Sequence, residues 1–344
     1  GIMCFTGTAL EGIEGKDGKV ARVLTSRKGM KADLAVLAIG IRANTAFLAD
    51  SGIELMPNRT VKVNEYLQTN DEDIYAIGDC ACVANRETGK PQWSPMGSSA
   101  NIEGRIVAQN LVGRKIAYPG VLGTGVCKLP ELNVGRTGLG EADAKEAGYD
   151  VVTALSVVDD KAHYYPGAGS FIIKMLADKT SRKFLGLQVI GKGAVDKVVD
   201  IAVTAISLGA TVDQLENLDF AYAPPFSTAI HPFGHALNIL LNKMSGAFET
   251  FTPTEYQAGA ADGYRVLDAS PVPTLSWAPY VDLTKIDGEI EGIGKDEKLL
   301  LVCAKGKRAY LTQNRMKAYG YTNTRALEGG LTFNEVEDPS QKEE

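Results

Sequence analysis

Cys303 closes an apolar run, Leu299-Leu-Leu-Val302, and opens a short cationic loop, Ala304-Lys-Gly-Lys-Arg308. Leu299–Val302 predicts a buried strand, and Ala309–Tyr319, stopped by Gly320, predicts a helix. A thiol so placed sits at the C-terminal edge of a sheet. There the N–H groups and positive dipole end of the following helix stabilise a thiolate or a bound oxyanion. Ala304, Lys305, Gly306 and Lys307 make up this anion loop, Arg308 adds a further cation, and Gly306 lets the backbone fold over the sulfur. This is the setting of a nucleophilic cysteine that carries sulfur. The alternative is a small buried residue at a strand end; the glycine and the three cations favour the nucleophile.

A second signal is Ile74-Tyr-Ala-Ile-Gly-Asp79. Ile74–Ile77 predicts a short strand with Gly78 and Asp79 just past its end, where doubly wound sheets bind nucleotides. A carboxylate there accepts hydrogen bonds from sugar-like hydroxyls, and glycine admits close backbone approach. By itself, a strand followed by Gly-Asp reads as a turn. His231 and His235 have the spacing of metal ligands on a helix, but no third ligand type lies near them, so no metal is expected. Cys80-Ala-Cys82 lacks C-x-x-C spacing and reads as structural.

The elements that must hold these residues belong to a chain of 344 residues, 44% hydrophobic and 23% charged, which predicts two or three domains with ordinary cores. A net charge of −6 argues against nucleic-acid or membrane-surface binding. No apolar run approaches the roughly 18 residues of a membrane span. Five scattered cysteines fit reduced thiols in the cytoplasm, and Gly1-Ile-Met-Cys-Phe5 shows no secretory signal. Leu10–Lys31 predicts a hairpin with turn signals at Gly12–Gly15 and Lys16–Gly18, and Asp33–Gly40 a buried parallel strand. A short helical stretch, Thr45–Ser51, follows. Gly135-x-x-Gly138-x-Gly140 reads as a turn before a helix at Glu141–Ala147. Gly191-x-Gly193 precedes a helix whose stripe is Val198, Ile201, Ala202 and Ala205; lacking a third glycine, it is not a phosphate loop. Pro253–Gly263 reads as a linker and Glu335–Glu344 as a polar tail.

The Cys303 loop, with Met316-Lys-Ala-Tyr-Gly-Tyr321 and Leu327-Glu-Gly-Gly330 behind it, resembles the active-site loop and closing segment of rhodanese-type sulfurtransferases, over roughly Tyr264–Val336. It departs from that family in two places. Leu267-Asp-Ala-Ser270 keeps the Asp of an Asp-Val-Arg but not the Arg, and Thr274–Asp282 replaces a Gly-His-Ile-Pro-Gly segment.

Leu37-Ala-Ile-Gly-Ile-Arg-Ala-Asn44 together with Gly78-Asp79 resembles the paired motifs of flavin-dependent pyridine nucleotide-disulfide oxidoreductases. The resemblance implies that Gly78 and Asp79 bind FAD, Asp79 at the ribityl chain. Ser94–Arg105 resembles the helix start facing the flavin ring, which makes Pro95, Met96 and Ser98 cofactor contacts. Leu122–Phe251 resembles the family's dimer-interface domain. Within it, His163-Tyr-Tyr-Pro-Gly-Ala168 and Tyr222-Ala-Pro-Pro-Phe226 resemble coenzyme A-disulfide reductases and their persulfide-reducing relatives. That implies a homodimer in which Tyr222 and one of Tyr164 or Tyr165 reach the partner's sulfur site, unless these are packing aromatics.

The implied fold class is α/β and α+β multidomain. A partial FAD/NAD(P)-binding doubly wound domain covers 1–114, an α+β dimerisation domain 115–252, a linker 253–263, a rhodanese-like α/β domain 264–337 and a tail 338–344. No G-x-G-x-x-G occurs in the sequence. The resemblance puts both glycine loops and the flavin-facing redox cysteine before this chain begins. The chain then reads as the C-terminal part of an FAD-dependent NAD(P)H reductase of coenzyme A disulfide, coenzyme A persulfide or polysulfide. FAD, NAD(P)H and coenzyme A are the implied cofactors, and Cys303 carries sulfane sulfur. The alternatives are a flavin-free sulfurtransferase on a dimerisation scaffold and a flavoprotein of the NADH oxidase or peroxidase type.

Overall fold

The structure is a computed structural model and describes residues 2–338, in two compact units that divide after Val61. The tail expected at 338–344 lies, from 339 on, outside the described residues. In the first unit β1 (Leu10–Lys16), β2 (Lys19–Thr25) and β3 (Gly29–Lys31) form an antiparallel meander. Asp17 and Gly18, at φ 53° and 73°, make the two-residue turn between β1 and β2, a left-handed pair that suits the strand twist. The turn expected at Gly12–Gly15 is instead part of β1, marked there by register shifts.

Asp33–Gly40 corrects a second expectation. It joins no strand, and Leu34, Val36 and Ile39 are 77%, 80% and 86% exposed. An apolar run becomes a buried strand only where neighbours complete its hydrogen-bond ladder, and none of the described residues of this unit pairs with it. Thr45–Ser51 contains one 3-10 turn, Ala46–Leu48.

After β4 (Val61–Lys62), at the division, the second unit opens with the hairpin β5 (Ala81–Ala84) and β6 (Pro91–Trp93), then α1 (Gly97–Leu111). Leu67, Val83, Ile106, Val107 and Tyr118 form a small core here. The strand expected at Ile74–Ile77 is a single bridge, Gln68 to Tyr75, and Gly78–Cys80 is a 3-10 turn.

The middle of the unit is an antiparallel sheet with a helical layer. Its strands are β7 (Gly125–Lys128), β8 (Asn133–Gly138), β9 (Val151–Asp159), β10 (Ser170–Asp178) and β11 (Phe184–Gly191), in the order β7-β8-β11-β10-β9. Gly135 and Gly138 therefore lie in β8, not in a turn; α2 (Glu141–Glu146) starts after Gly140. Helices α3 (Val195–Ser207), α4 (Val212–Leu215) and α5 (Pro232–Met244) follow. Ile173 and Met175, alternate residues of β10, are fully buried with Val198 and Ala202 of α3 and Leu237 of α5.

The last part is a parallel sheet in the order β12-β15-β14-β13, formed by β12 (Thr250–Phe251), β13 (Arg265–Asp268), β14 (Leu299–Val302) and β15 (Thr324–Leu327). Leu299–Val302 are buried to within 1%, as a central parallel strand requires. Three helices accompany it: α6 (Pro253–Gln257), α7 (Lys307–Ala318) and α8 (Gly330–Phe333). The segment read as a linker thus holds α6, opened by a Thr252–Glu255 capping box, and β12 ahead of it already pairs with β15. Among the described residues no helix is long and apolar enough to cross a membrane.

Candidate functional site

The chain leaves the sheet at Cys303 and enters α7 four residues later, with Gly306 (φ 89°) as its N-cap. Cys303 is 3% exposed, and its sulfur accepts hydrogen bonds from the backbone N–H groups of Gly306 (3.2 Å) and Ala309 (3.4 Å). Donors at the start of a 12-residue helix, aimed at one sulfur, stabilise it most when it is anionic. On its other side the loop is clasped by the start of α8. The carbonyl of Cys303 accepts from Leu331 N–H (3.0 Å) and that of Ala304 from Thr332 N–H (2.9 Å).

Asp268 shapes the neighbouring turn. Fully buried, it accepts backbone N–H groups of Ser270 (2.9 Å), Thr274 (2.5 Å) and Leu275 (2.8 Å). Burial opposes its ionisation, but the hydrogen bonds from Ser270, Leu275 and Thr274 prevail and hold the carboxyl below its usual range. Thr274–Asp282 then folds back on β13, where Tyr280 bridges Asp268.

Two of the loop cations are engaged by other groups. Lys305 Nζ lies 2.5 Å from Asp159 Oδ1 and 3.0 Å from Ser170 Oγ, on β9 and β10. Arg308 donates through Nε to the Ala269 carbonyl (3.3 Å), and its Nη2 is 3.7 Å from Asp282. Lys307 is exposed at the first position of α7. A cavity of about 280 Å³ adjoins the loop, bounded by Asp159, His235, Asn238, Lys305, Lys307 and Tyr310. Burial, then the Lys307 charge, pushes the His235 imidazole down against the pull of Asp159, so it lines the cavity in its neutral form at pH 7.

At the second signal, Gly78 N–H donates to Glu103 Oε2 at 2.6 Å, with Gly78 at φ 71°. The Asp79 carbonyl accepts from Trp93 Nε1 at 2.8 Å. These bonds fix the backbone of the turn, and the Asp79 side chain is left exposed. Met96 and Ser98, at the start of α1, are exposed and Pro95 is half-buried. Glu103 is 1% exposed; burial raises its carboxyl, against the Gly78 N–H and with help from the Asp79 charge. Tyr118 is pushed up to about 12, by burial first and Glu103 next.

Tyr164, Tyr165 and Tyr222 lie at the surface, 69%, 37% and 52% exposed, in the loop between β9 and β10 and the segment before α5. His231 is the N-cap of α5 and accepts Phe233 N–H through Nδ1 at 3.1 Å. Among the described residues no three metal-ligating side chains converge.

Residues 1–101 match the description "Pyridine nucleotide-disulphide oxidoreductase", and residues 126–232 match its dimerisation domain. Residues 243–332 match a rhodanese-like domain. The chain belongs to the pyridine nucleotide-disulphide oxidoreductases and carries a rhodanese-like domain.

The chain is 36% identical over 220 residues to the "NAD(P)H sulfur oxidoreductase (CoA-dependent)" of Pyrococcus furiosus, covering 64% of the chain and 49% of that protein. A solved NAD-dependent persulfide reductase from A. fulgidus superposes with a TM-score of 0.86 at 34% identity, covering 95% of this chain and 60% of that one. The reduced CoADR-RHD of Bacillus anthracis gives 0.85 at 29% identity, covering 94% and 58%. The chain thus spans about half the length of the curated relatives it matches. The family implies use of a flavin and a pyridine nucleotide.

Three residues escaped the sequence reading. Glu103 falls on the buried face of α1 with Ser99, Ile106 and Val107, and a glutamate in such a stripe was a usable signal. Asp159 and Glu328 gave none. Glu328, 2% exposed, accepts Lys243 Nζ (2.6 Å) and Thr250 Oγ1 (2.6 Å) at one oxygen and Leu155 N–H (2.8 Å) at the other. It thereby ties the end of β15 to β9 and α5.

Proposed function

We propose that this chain works as part of an FAD- and NAD(P)H-dependent reductase of coenzyme A disulfide, coenzyme A persulfide or polysulfide. In this reading its rhodanese-like domain carries sulfane sulfur on Cys303. The observation that carries the reading is the Cys303 sulfur itself, held by two backbone N–H groups at a helix start, in a chain whose other regions match the oxidoreductase and its dimerisation domain. The Cys303 thiolate attacks the outer sulfur of a persulfide donor. A new S–S bond forms, the donor S–S bond breaks, and the donor thiolate leaves with the electron pair. Gly306 and Ala309 N–H hold the charge on the cysteine sulfur, and Arg308 and the rest of the Ala304–Lys307 loop shape the entrance.

Gly78, Asp79, Pro95, Met96 and Ser98 fit the sugar-alcohol and ring face of a flavin. Asp79 is exposed on a turn that Glu103 braces, next to the open start of α1. Bound there, the flavin supplies hydride transfer from NAD(P)H. Tyr222 and Tyr164 or Tyr165, exposed in one protomer, serve the sulfur site of the partner in a cytoplasmic homodimer. The parts run 1–114, 115–252 and 264–337, with β12 and α6 assigned to the third.

A second reading, a flavin-free sulfurtransferase on a dimerisation scaffold, draws on the exposed, unpaired run Asp33–Gly40. One experiment addresses Cys303 under both. The chain and its Cys303→Ala variant are exposed to a small organic persulfide and examined by mass spectrometry. Gain of one sulfur atom on Cys303, absent in the variant, is expected; a persulfide that persists on another residue overturns the assignment. Flavin absorbance of the purified chain separates the two readings.

A further inference from the structure

We infer that Glu328 is a positioning residue for Cys303, through which strand β9 of the dimerisation domain sets the reactivity of a sulfur held in the rhodanese-like domain. The inference rests on the sulfur-carrying role proposed for Cys303.

Leu155 lies within the residues that match the dimerisation domain, and Cys303 and Glu328 within those that match the rhodanese-like domain. β9 is an edge strand of its sheet, so alternate backbone N–H groups face away from β10. Leu155 donates its N–H across that edge to Glu328 Oε2 at 2.8 Å, while Lys243 and Thr250 hold Oε1. Just beyond Glu328 the chain meets the sulfur loop. Gly329 and Gly330 both have left-handed backbone, at φ 77° and 52°, and no side chain of their own to fix the turn. The turn is fixed from its two ends instead. Glu328 anchors one end, and Asn334 Nδ2 ties in the other by donating to the carbonyls of Glu328 (2.8 Å) and Gly330 (2.9 Å). Leu331 and Thr332 then donate their N–H groups to the carbonyls of Cys303 and Ala304. Gly306, whose N–H reaches the sulfur, rests on the same stretch: a Cβ there would lie 3.8 Å from both Gly329 N and the Leu327 carbonyl oxygen. Leu327–Thr332 is therefore the floor of the Cys303–Gly306 loop, and Glu328 fastens that floor to β9. With the fastening gone, the floor shifts and takes Gly306 N–H off the sulfur. A displacement of about 1 Å at a reacting group costs up to about a hundredfold in rate.

The test is the rate at which Cys303 of the full chain gains sulfur from glutathione persulfide, and separately the rate at which iodoacetamide alkylates it, both read by mass spectrometry. Glu328→Ala is expected to slow both by about tenfold or more. Glu328→Asp keeps a charge for Lys243 but is one methylene too short for Leu155 N–H, and it should slow them likewise. Glu328→Gln keeps an oxygen at full length for Leu155 N–H and is expected to restore both rates to within about threefold of wild type. Leu185→Ala opens a cavity in a separate apolar cluster, with Leu139 and Ala144, and serves as a control for lost stability alone; its rates should stay at the wild-type level. Wild-type rates in Glu328→Asp, no rescue by Glu328→Gln, or equal slowing in Leu185→Ala overturn the inference. If wild-type Cys303 gains no sulfur, the sulfur-carrying role falls, and the alkylation rates still decide whether Glu328 positions the thiol.

Discussion

The carbonyl oxygen of Cys303 occupies the space that a side chain on Gly330 would need: a Cβ there would lie 2.0 Å from it. Gly330 also sits at φ 52°, and the next residue, Leu331, donates its N–H to the same carbonyl. The sulfur loop and the start of α8 are therefore one unit, closed by the absence of a side chain.

Gly330→Ala is expected to force them apart, costing roughly 3 kcal/mol of stability from the overlap and the left-handed backbone. Urea unfolding reads the loss. Persulfide labelling of Cys303 in the folded fraction should fall with it, because the displaced carbonyl takes the sulfur away from Gly306 and Ala309.

Glu328→Ala removes a buried carboxylate from Lys243, Thr250 and Leu155 at once. The expected loss is roughly 3 kcal/mol, the low end for breaking a buried ion pair, since Lys243 retains some contact with water. A urea midpoint within error of wild type would refute it.

Glu103→Gln tests a strained carboxylate. Because its folded pKa is raised, the native state binds the proton more tightly than the unfolded chain does. Its contribution to stability therefore declines as pH climbs from the ordinary value of 4.5 towards the raised one. The amide keeps an oxygen for Gly78 N–H and carries no charge. The variant is expected to be more stable than wild type at pH 7, with the difference vanishing well below pH 4.5. Thermal melts across that range decide it.

Glu141 behaves in the opposite sense. Hydrogen bonds from Lys145 and then Lys174 hold its carboxyl down to about 2, against burial. The stability it adds is present above the ordinary 4.5 and is lost as pH falls towards 2. The site is about a third exposed, so after solvent screening Glu141→Gln is expected to cost about 1 kcal/mol at pH 7. The cost should shrink to nothing near pH 2.

The sequence by itself determined the features that neighbouring residues write among themselves. The run from Leu299 to Gly320 shows its strand, its cysteine, its loop glycine and its helix stop within 22 consecutive positions, and all appear in the structure, with the helix starting at Lys307 instead of the expected Ala309. The apolar stripe of α3 was readable for the same reason, since helical period alone places Val198, Ala202 and Ala205 on one face.

Tertiary structure alone decided which partners the chemistry meets. Lys305 reaches Asp159 across 146 positions and Glu328 reaches Leu155 across 173, and no local pattern announces either pairing. It also decided the state of Asp33–Gly40, whose residues suit a central strand but have none beside them in their unit. Apolar content states a preference for burial; only neighbouring strands, brought in by the rest of the fold, supply the hydrogen-bond partners that make burial possible.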